Sequence, residues 1–130
     1  MGYESRLYVV AKSDIKSCGE DNNLFYAEKL AAFNLCKTPQ TFLDGILYLG
    51  EKTDCALFID DEETNQDKYG DVMKEFSLED MIKILENCIA DSNSGDYRRW
   101  RPCLAMLEGF RMSELKGEWG DALRVLHYGY

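Results

Sequence analysis

With 130 residues, 45% of them apolar and 12% aromatic, the chain has the size of one compact domain and enough apolar surface for a real core, which excludes wholesale disorder. Its formal net charge of −9 argues against free duplex DNA as a primary ligand, because like charges repel at long range. No apolar run approaches the roughly 18 residues of a membrane-spanning helix, and the start MGYESRLYVVAK has neither the basic flank nor the long apolar stretch of a secretory signal. Arg6 stands where a myristoylation motif needs Ser or Thr. The chain is expected to be a cytoplasmic protein with no membrane contact, folded as one domain over residues 1–130.

In chain order, RLYVVAK sends Leu7, Val9 and Ala11 one way and Tyr8 and Val10 the other. Both faces are apolar, as in a buried strand. SDIKSCGEDNN reads as a loop. LFYAEKLAAFNLCK fits a helical stripe through Tyr26, Leu30 and Phe33, or a strand face through Ala27, Ala31, Phe33 and Leu35; the hairpin-like loop before it favours the strand. KTPQTFLDGILYLG predicts a helix: Thr38 can cap it, Pro39 suits its first turn, Phe42, Ile46 and Leu49 share a face, and Gly50 ends it, although Gly45 weakens it. DCALFID is apolar on both faces, as a central strand would be. DDEETNQDKYGD reads as a loop and VMKEF as another short strand.

SLEDMIKILENCIAD predicts a helix opened by a capping-box-like pair, Ser77 and Asp80, with an apolar stripe of Leu78, Met81, Ile82, Leu85 and Ile89 and Cys88 beside it. In YRRWRPCLAMLEGFRM, Tyr97, Trp100, Leu104 and Leu107 align on a helix. Pro102 predicts either a regular helix starting there or a kinked first turn. ALRVLHYGY alternates as a final strand. The order β, β, α, β, β, α, α, β defines an α+β domain: a mostly antiparallel sheet packed by two to three helices.

Chemistry-bearing residues are few. Cys18, Cys36, Cys55, Cys88 and Cys103 lack C-x-x-C spacing, so reduced structural thiols are expected, with no metal and no cofactor. His127 is the single histidine, set in an apolar alternating strand where a core or interface role is usual. No nucleophile signature, phosphate loop or dinucleotide fingerprint accompanies it, which argues against the common enzyme classes.

Charge is concentrated. From Asp60 to Asp96 there are twelve acids against three lysines, and these nine net negatives account for the charge of the whole chain. Asp60, Asp61, Glu62, Glu63, Asp67 and Asp71 could face a cation or a basic partner, or serve as a solvated loop. An EF-hand is excluded, because its obligatory sixth-position glycine is Asn65 or Gln66 here. Directly after the acids, GDYRRWRP sets Tyr97, Arg98, Arg99, Trp100 and Arg101 at a helix start. Two readings stand. The arginines form surface ion pairs with the acidic segment, each worth about 0–1 kcal/mol, or they clamp an anion or anchor an interface, where Trp, Tyr and Arg are enriched.

MGYESRLYVV, TDCALFID with DKYGD, SLEDMIKIL, YRRWRPCLAMLEGF and WGDALRVLHYGY, in this order, resemble small, mostly uncharacterised proteins encoded by tailed phages and prophages of Gram-positive bacteria. The resemblance covers most of the chain, less securely residues 13–50, and carries no catalytic motif. It implies an accessory role in a phage–host setting, where small acidic proteins bind and block host machinery, including defence systems such as CRISPR effectors.

The leading expectation is therefore a non-enzymatic protein that inhibits a host protein with a basic surface through Asp60, Asp61, Glu62, Glu63, Asp67 and Asp71. The alternative is a small-ligand protein that sequesters or hydrolyses an anionic, nucleotide-like metabolite, with Arg98, Arg99 and Arg101 on its phosphate and Trp100 or Tyr97 on its base. A third reading is a homodimer paired through the HYGY end.

Overall fold

A computed structural model describes residues 4–16, 23–37, 39–91 and 97–130. Its elements are β1 (Glu4–Lys16), β2 (Phe25–Lys37), α1 (Gln40–Leu49), β3 (Glu51–Lys52), β4 (Cys55–Ile59), β5 (Glu62–Thr64), β6 (Lys74–Phe76), α2 (Leu78–Asp91), α3 (Tyr97–Leu115) and β7 (Leu123–Gly129). The strands form one seven-stranded sheet in the order β3-β6-β7-β1-β2-β4-β5. Every pairing is antiparallel except β2 with β4, which are parallel over Phe25↔Cys55 and Tyr26↔Ala56 alone. This is the expected α+β domain.

β1 is apolar on both faces because both are covered. Leu7 and Val9 join a core with Leu123 and Val125 of β7, Phe42 and Ile46 of α1, Met81 and Leu85 of α2, and Trp100, Cys103 and Leu107 of α3. Tyr8 and Val10 point the other way, into a second core with Cys55, Leu57, Ile59, Met73, Leu126 and Tyr128. Among the described residues, no helix contributes to that second core. The sheet curls so that β4 and the segment after β5 cover its far face. Backbone bonds fix the closure: Thr53 N–H donates to the Met73 carbonyl at 3.0 Å, and Lys68 N–H to that of Gly129 at 3.2 Å.

Several expectations shift in detail. Residues 13–16, read as loop, continue β1, and residues 25–37 form a strand that pairs along β1. DCALFID is one strand in from the sheet edge and not central; Phe58 is exposed while Cys55, Leu57 and Ile59 are buried. The loop DDEETNQDKYGD contains β5. Asp60 and Asp61, both left-handed at φ 50° and 65°, form the two-residue turn of a tight hairpin whose register is Ile59↔Glu62. Two positive φ values in a two-residue loop match the twist of paired strands, and aspartate tolerates them through its short polar side chain.

Ser77 caps α2 as expected: its Oγ accepts the Asp80 N–H at 3.1 Å. The buried stripe of α2 is centred on Leu78, Met81, Ile84, Leu85 and Cys88, rotated slightly from the predicted one, which omitted Ile84. α3 begins at Tyr97, five residues before Pro102, and runs through the proline. The missing proline N–H forfeits one helical bond near the start of the element. Burial of Trp100 and Cys103 on either side offsets it. Thr38, the expected cap of α1, lies outside the described residues. The helix opens with Pro39 in the cap position and no side-chain bond.

Gly50 ends α1, but in extended conformation at φ −80°. What it provides is space. A Cβ there would meet the Ile46 carbonyl oxygen at 2.6 Å and Phe76 Cζ at 2.7 Å, so the glycine lets α1 turn directly into β3 against β6. Gly50→Ala is expected to destabilise the fold by about 1–3 kcal/mol in chemical denaturation. In the opposite direction, replacing Asp60–Asp61 with Asn–Gly relieves two strained aspartates and should add about 1 kcal/mol, read as a higher denaturation midpoint at unchanged slope.

Candidate functional site

The functional candidates fall into an acidic group, an arginine segment and a cleft, of which the first and last share Asp67 and Asp71. The acids fall first. Asp60, Asp61 and Glu62 are exposed at the tip of the β4–β5 hairpin, and Glu63 is half-buried with its Oε1 enclosed and without a hydrogen-bond partner. Asp67 and Asp71 lie beyond the hairpin, in the turn that closes the second core. Asp67 Oδ1 accepts the backbone N–H groups of Tyr69 at 2.9 Å and Asp71 at 3.1 Å, so its carboxylate shapes the turn. Asp60 and Asp67 both act on Tyr128, whose hydroxyl is raised above its usual pKa first by burial and then by surrounding groups that include these two acids. The fold therefore brings the six acids to one region, as two subgroups.

Among the described residues none of these six carboxylates has an ion-pair partner within 4 Å. The ion pairs among the described residues lie elsewhere: Lys12 with Asp54 at 2.9 Å, Lys83 with Glu79 at 3.7 Å, Arg111 with Glu79 and Glu114, and Arg124 with Glu75 at 3.5 Å and Asp121 at 3.9 Å. Beside the acidic tip, Phe58 is 55% exposed and its ring stacks on Tyr26 at 6.2 Å between centroids. An exposed Phe58 on a half-buried Tyr26, flanked by unneutralised acids, was not legible in the sequence. Its signal, Phe58 in an apolar run, looked like core.

In the arginine segment, the described contacts of Trp100 and Arg99 lead away from the acidic hairpin. Trp100 is buried in the helix-side core, so it anchors α3 and offers no stacking face. Arg99 donates to the Asn34 carbonyl of β2 at 3.1 Å. Arg101 is exposed, beside Glu86 and Leu104. The side chains of Tyr97 and Arg98 lie outside the described residues. At the HYGY end, β7 pairs with β1 on one side as far as Gly129 and with β6 on the other as far as His127.

Among the described residues, one group has metal-ligand spacing: Asp54, Cys55 and Glu75. Its carboxylates are already held, Asp54 by Lys12 and Glu75 by Arg124 and by Thr53 Oγ1 at 2.9 Å. Burial pushes the Cys55 thiol up to about 11 and that of Cys103 to about 12, far from the thiolate that metals and electrophiles require. These cysteines behave as the small hydrophobes expected of them.

The third group surrounds a cleft of about 540 Å³ between α1, the 67–73 segment, the edge strand β3 and its neighbour β6. His127 stands in its wall, 3% exposed, with Nε2 at 2.7 Å from Ser5 Oγ and its ring 5.8 Å from that of Phe42. Lys52 and Lys74 line the same cleft. The sequence marked His127 as a core or interface residue, and it is buried; the lysines beside it were not singled out. Compared with protein-family models, curated proteins and solved structures, the chain matches none.

Burial lowers the His127 pKa from 6.5 to about 4, so the folded chain keeps a neutral imidazole where the unfolded chain takes up a proton. Stability contributed by this group is complete above pH about 6.5 and falls as pH drops toward about 4, by roughly 3 kcal/mol in total. Denaturation at a series of pH values should show this slope, and His127→Gln should remove that part of it.

Proposed function

We propose that this chain is a non-enzymatic binding protein whose acidic hairpin docks on the basic surface of another protein, and that in a phage–host setting the partner is a host protein that handles nucleic acid. The observation that carries this reading is the set of acids at and after the β4–β5 turn, none of them neutralised by an ion pair among the described residues. Exposed Phe58, stacked on the half-buried Tyr26 beside them, supplies the apolar centre that interface hot spots favour, with charge around it to steer association. Two consecutive left-handed aspartates at the tip support the same reading. A glycine would fold more easily there, so the carboxylates are kept at some cost in strain. The absence of a nucleophile signature in the sequence favours binding over catalysis, and the resemblance to phage-encoded proteins supports the choice of partner.

Capture from host lysate on immobilised protein, with and without excess DNA as competitor, tests the proposal. Wild-type protein should retain nucleic-acid-handling proteins that DNA displaces and that high salt releases. Reversal of Asp60, Asp61, Glu62 and Glu63 to Lys should weaken capture about tenfold or more, and Phe58→Ala should weaken it with little change in salt dependence. Equal capture by wild type and the reversed variant would refute the acidic face.

A further inference from the structure

One row of side chains crosses the edge of the sheet. Lys52 of β3 is directly opposite Lys74 of β6, and Lys74 is directly opposite His127 of β7. Adjacent strands lie about 4.8 Å apart, so three nitrogen-bearing side chains stand in line across about 10 Å. Like charges directly opposite one another in an antiparallel pair are destabilising. The neighbouring row has the same defect with the opposite sign, Glu51 facing Glu75, but there Arg124 lies 3.5 Å from Glu75 and Thr53 donates to it. The glutamate row is neutralised from within. The lysine row is not: among the described residues neither Lys52 nor Lys74 has an ion-pair partner.

The uncompensated row lines the 540 Å³ cleft, a volume suited to a small molecule. Facing it, α1 contributes Leu43, Ile46 and Leu47, the last 73% exposed. Cation and apolar wall together call for a ligand that is anionic at one end and apolar along its body. Asp67 and Asp71 also line the cleft, and the chain as a whole carries −9, so each additional negative charge on a ligand is repelled at short and long range. Nucleotides and other multiply charged anions are thereby selected against.

We propose that this cleft binds a small apolar monocarboxylate, its carboxylate on the Lys52–Lys74 row and its body along α1. His127, held by Ser5 at the inner end of the row, closes the cleft behind the carboxylate. The cleft shares Asp67 and Asp71 with the acidic set but no residue with the hairpin tip, so substitutions at Lys52 and Lys74 test it separately from reversal of Asp60–Glu63.

Titration calorimetry with 3-phenylpropionate, its amide, L-phenylalanine and inorganic phosphate tests the proposal. The carboxylate should bind, and the amide at least about tenfold more weakly, because it exchanges charge-assisted hydrogen bonds for neutral ones. Lys52→Gln combined with Lys74→Gln should erase the difference between acid and amide. Lys52 is exposed and Lys74 half-buried, and neither has an ion pair to lose among the described residues, so circular dichroism and melting of the double variant should match wild type. Tighter binding of L-phenylalanine than of 3-phenylpropionate would assign the site to amino acids, with the aspartate wall taking the ammonium; the reverse order would assign it to simple carboxylic acids. Equal binding of acid and amide, binding unaffected by the double variant, phosphate bound as tightly as the carboxylate, or no heat from any probe would overturn it.

Discussion

A strand that is apolar on both faces has to be covered twice, and β1 imposes this requirement on the whole chain. Leu7, Val9, Tyr8 and Val10 are all at most 3% exposed. Three helices cover one side. The other side is covered by the sheet itself, which curls until Cys55, Leu57, Ile59 and Met73 lie on Tyr8, Val10, Leu126 and Tyr128. Only two residue pairs join β2 to β4, so this closure rests on apolar packing more than on ladder hydrogen bonds. Full burial of such side chains is worth roughly 1.5–3 kcal/mol each. The curl also has a geometric consequence: the segment that completes the second core presents its polar residues outward, where the acids are.

The distribution of charge follows from that arrangement. Sequence position suggested that arginines 98–101 neutralise the acids that precede them. Arg99 instead crosses to a β2 carbonyl, because Trp100 enters the helix-side core and turns α3 toward that strand. The internal ion pairs gather around α2, α3 and the Glu75 row. The acids of the hairpin are left to solvent or to a partner.

Local signals were readable wherever a few consecutive residues decide the structure. The Ser77 cap, the alternation of β1 and β7, and Trp100 as an anchor all depend on contacts within one element or on simple burial. β3 and β5 were not readable, being two and three residues long with mixed or acidic composition. The hairpin turn was hidden because Asp–Asp replaces the usual Asn–Gly. The lysine row was beyond reach for a different reason. It joins residues 52, 74 and 127, and only long-range register places them side by side. Register is a property of the folded sheet, and a one-residue slip would send every one of these side chains to the opposite face.

Six acids that look alike in composition are thus placed differently by the fold. Asp67 spends its carboxylate on two backbone amides and shapes the turn that closes the second core. Asp71 faces the cleft, where its charge bears on which ligand can enter. Asp60 and Asp61 hold a strained turn that other residues would hold at lower cost. Glu63 leaves one oxygen enclosed without a hydrogen-bond partner, an arrangement that costs stability in the isolated chain. A purely solubilising role would explain exposed charge at any position. It does not explain carboxylates retained where the backbone is strained or where an oxygen is enclosed. Those two features confine the argument for a binding surface to residues 60–63, and they separate that surface from the neighbouring aspartates that the fold itself requires.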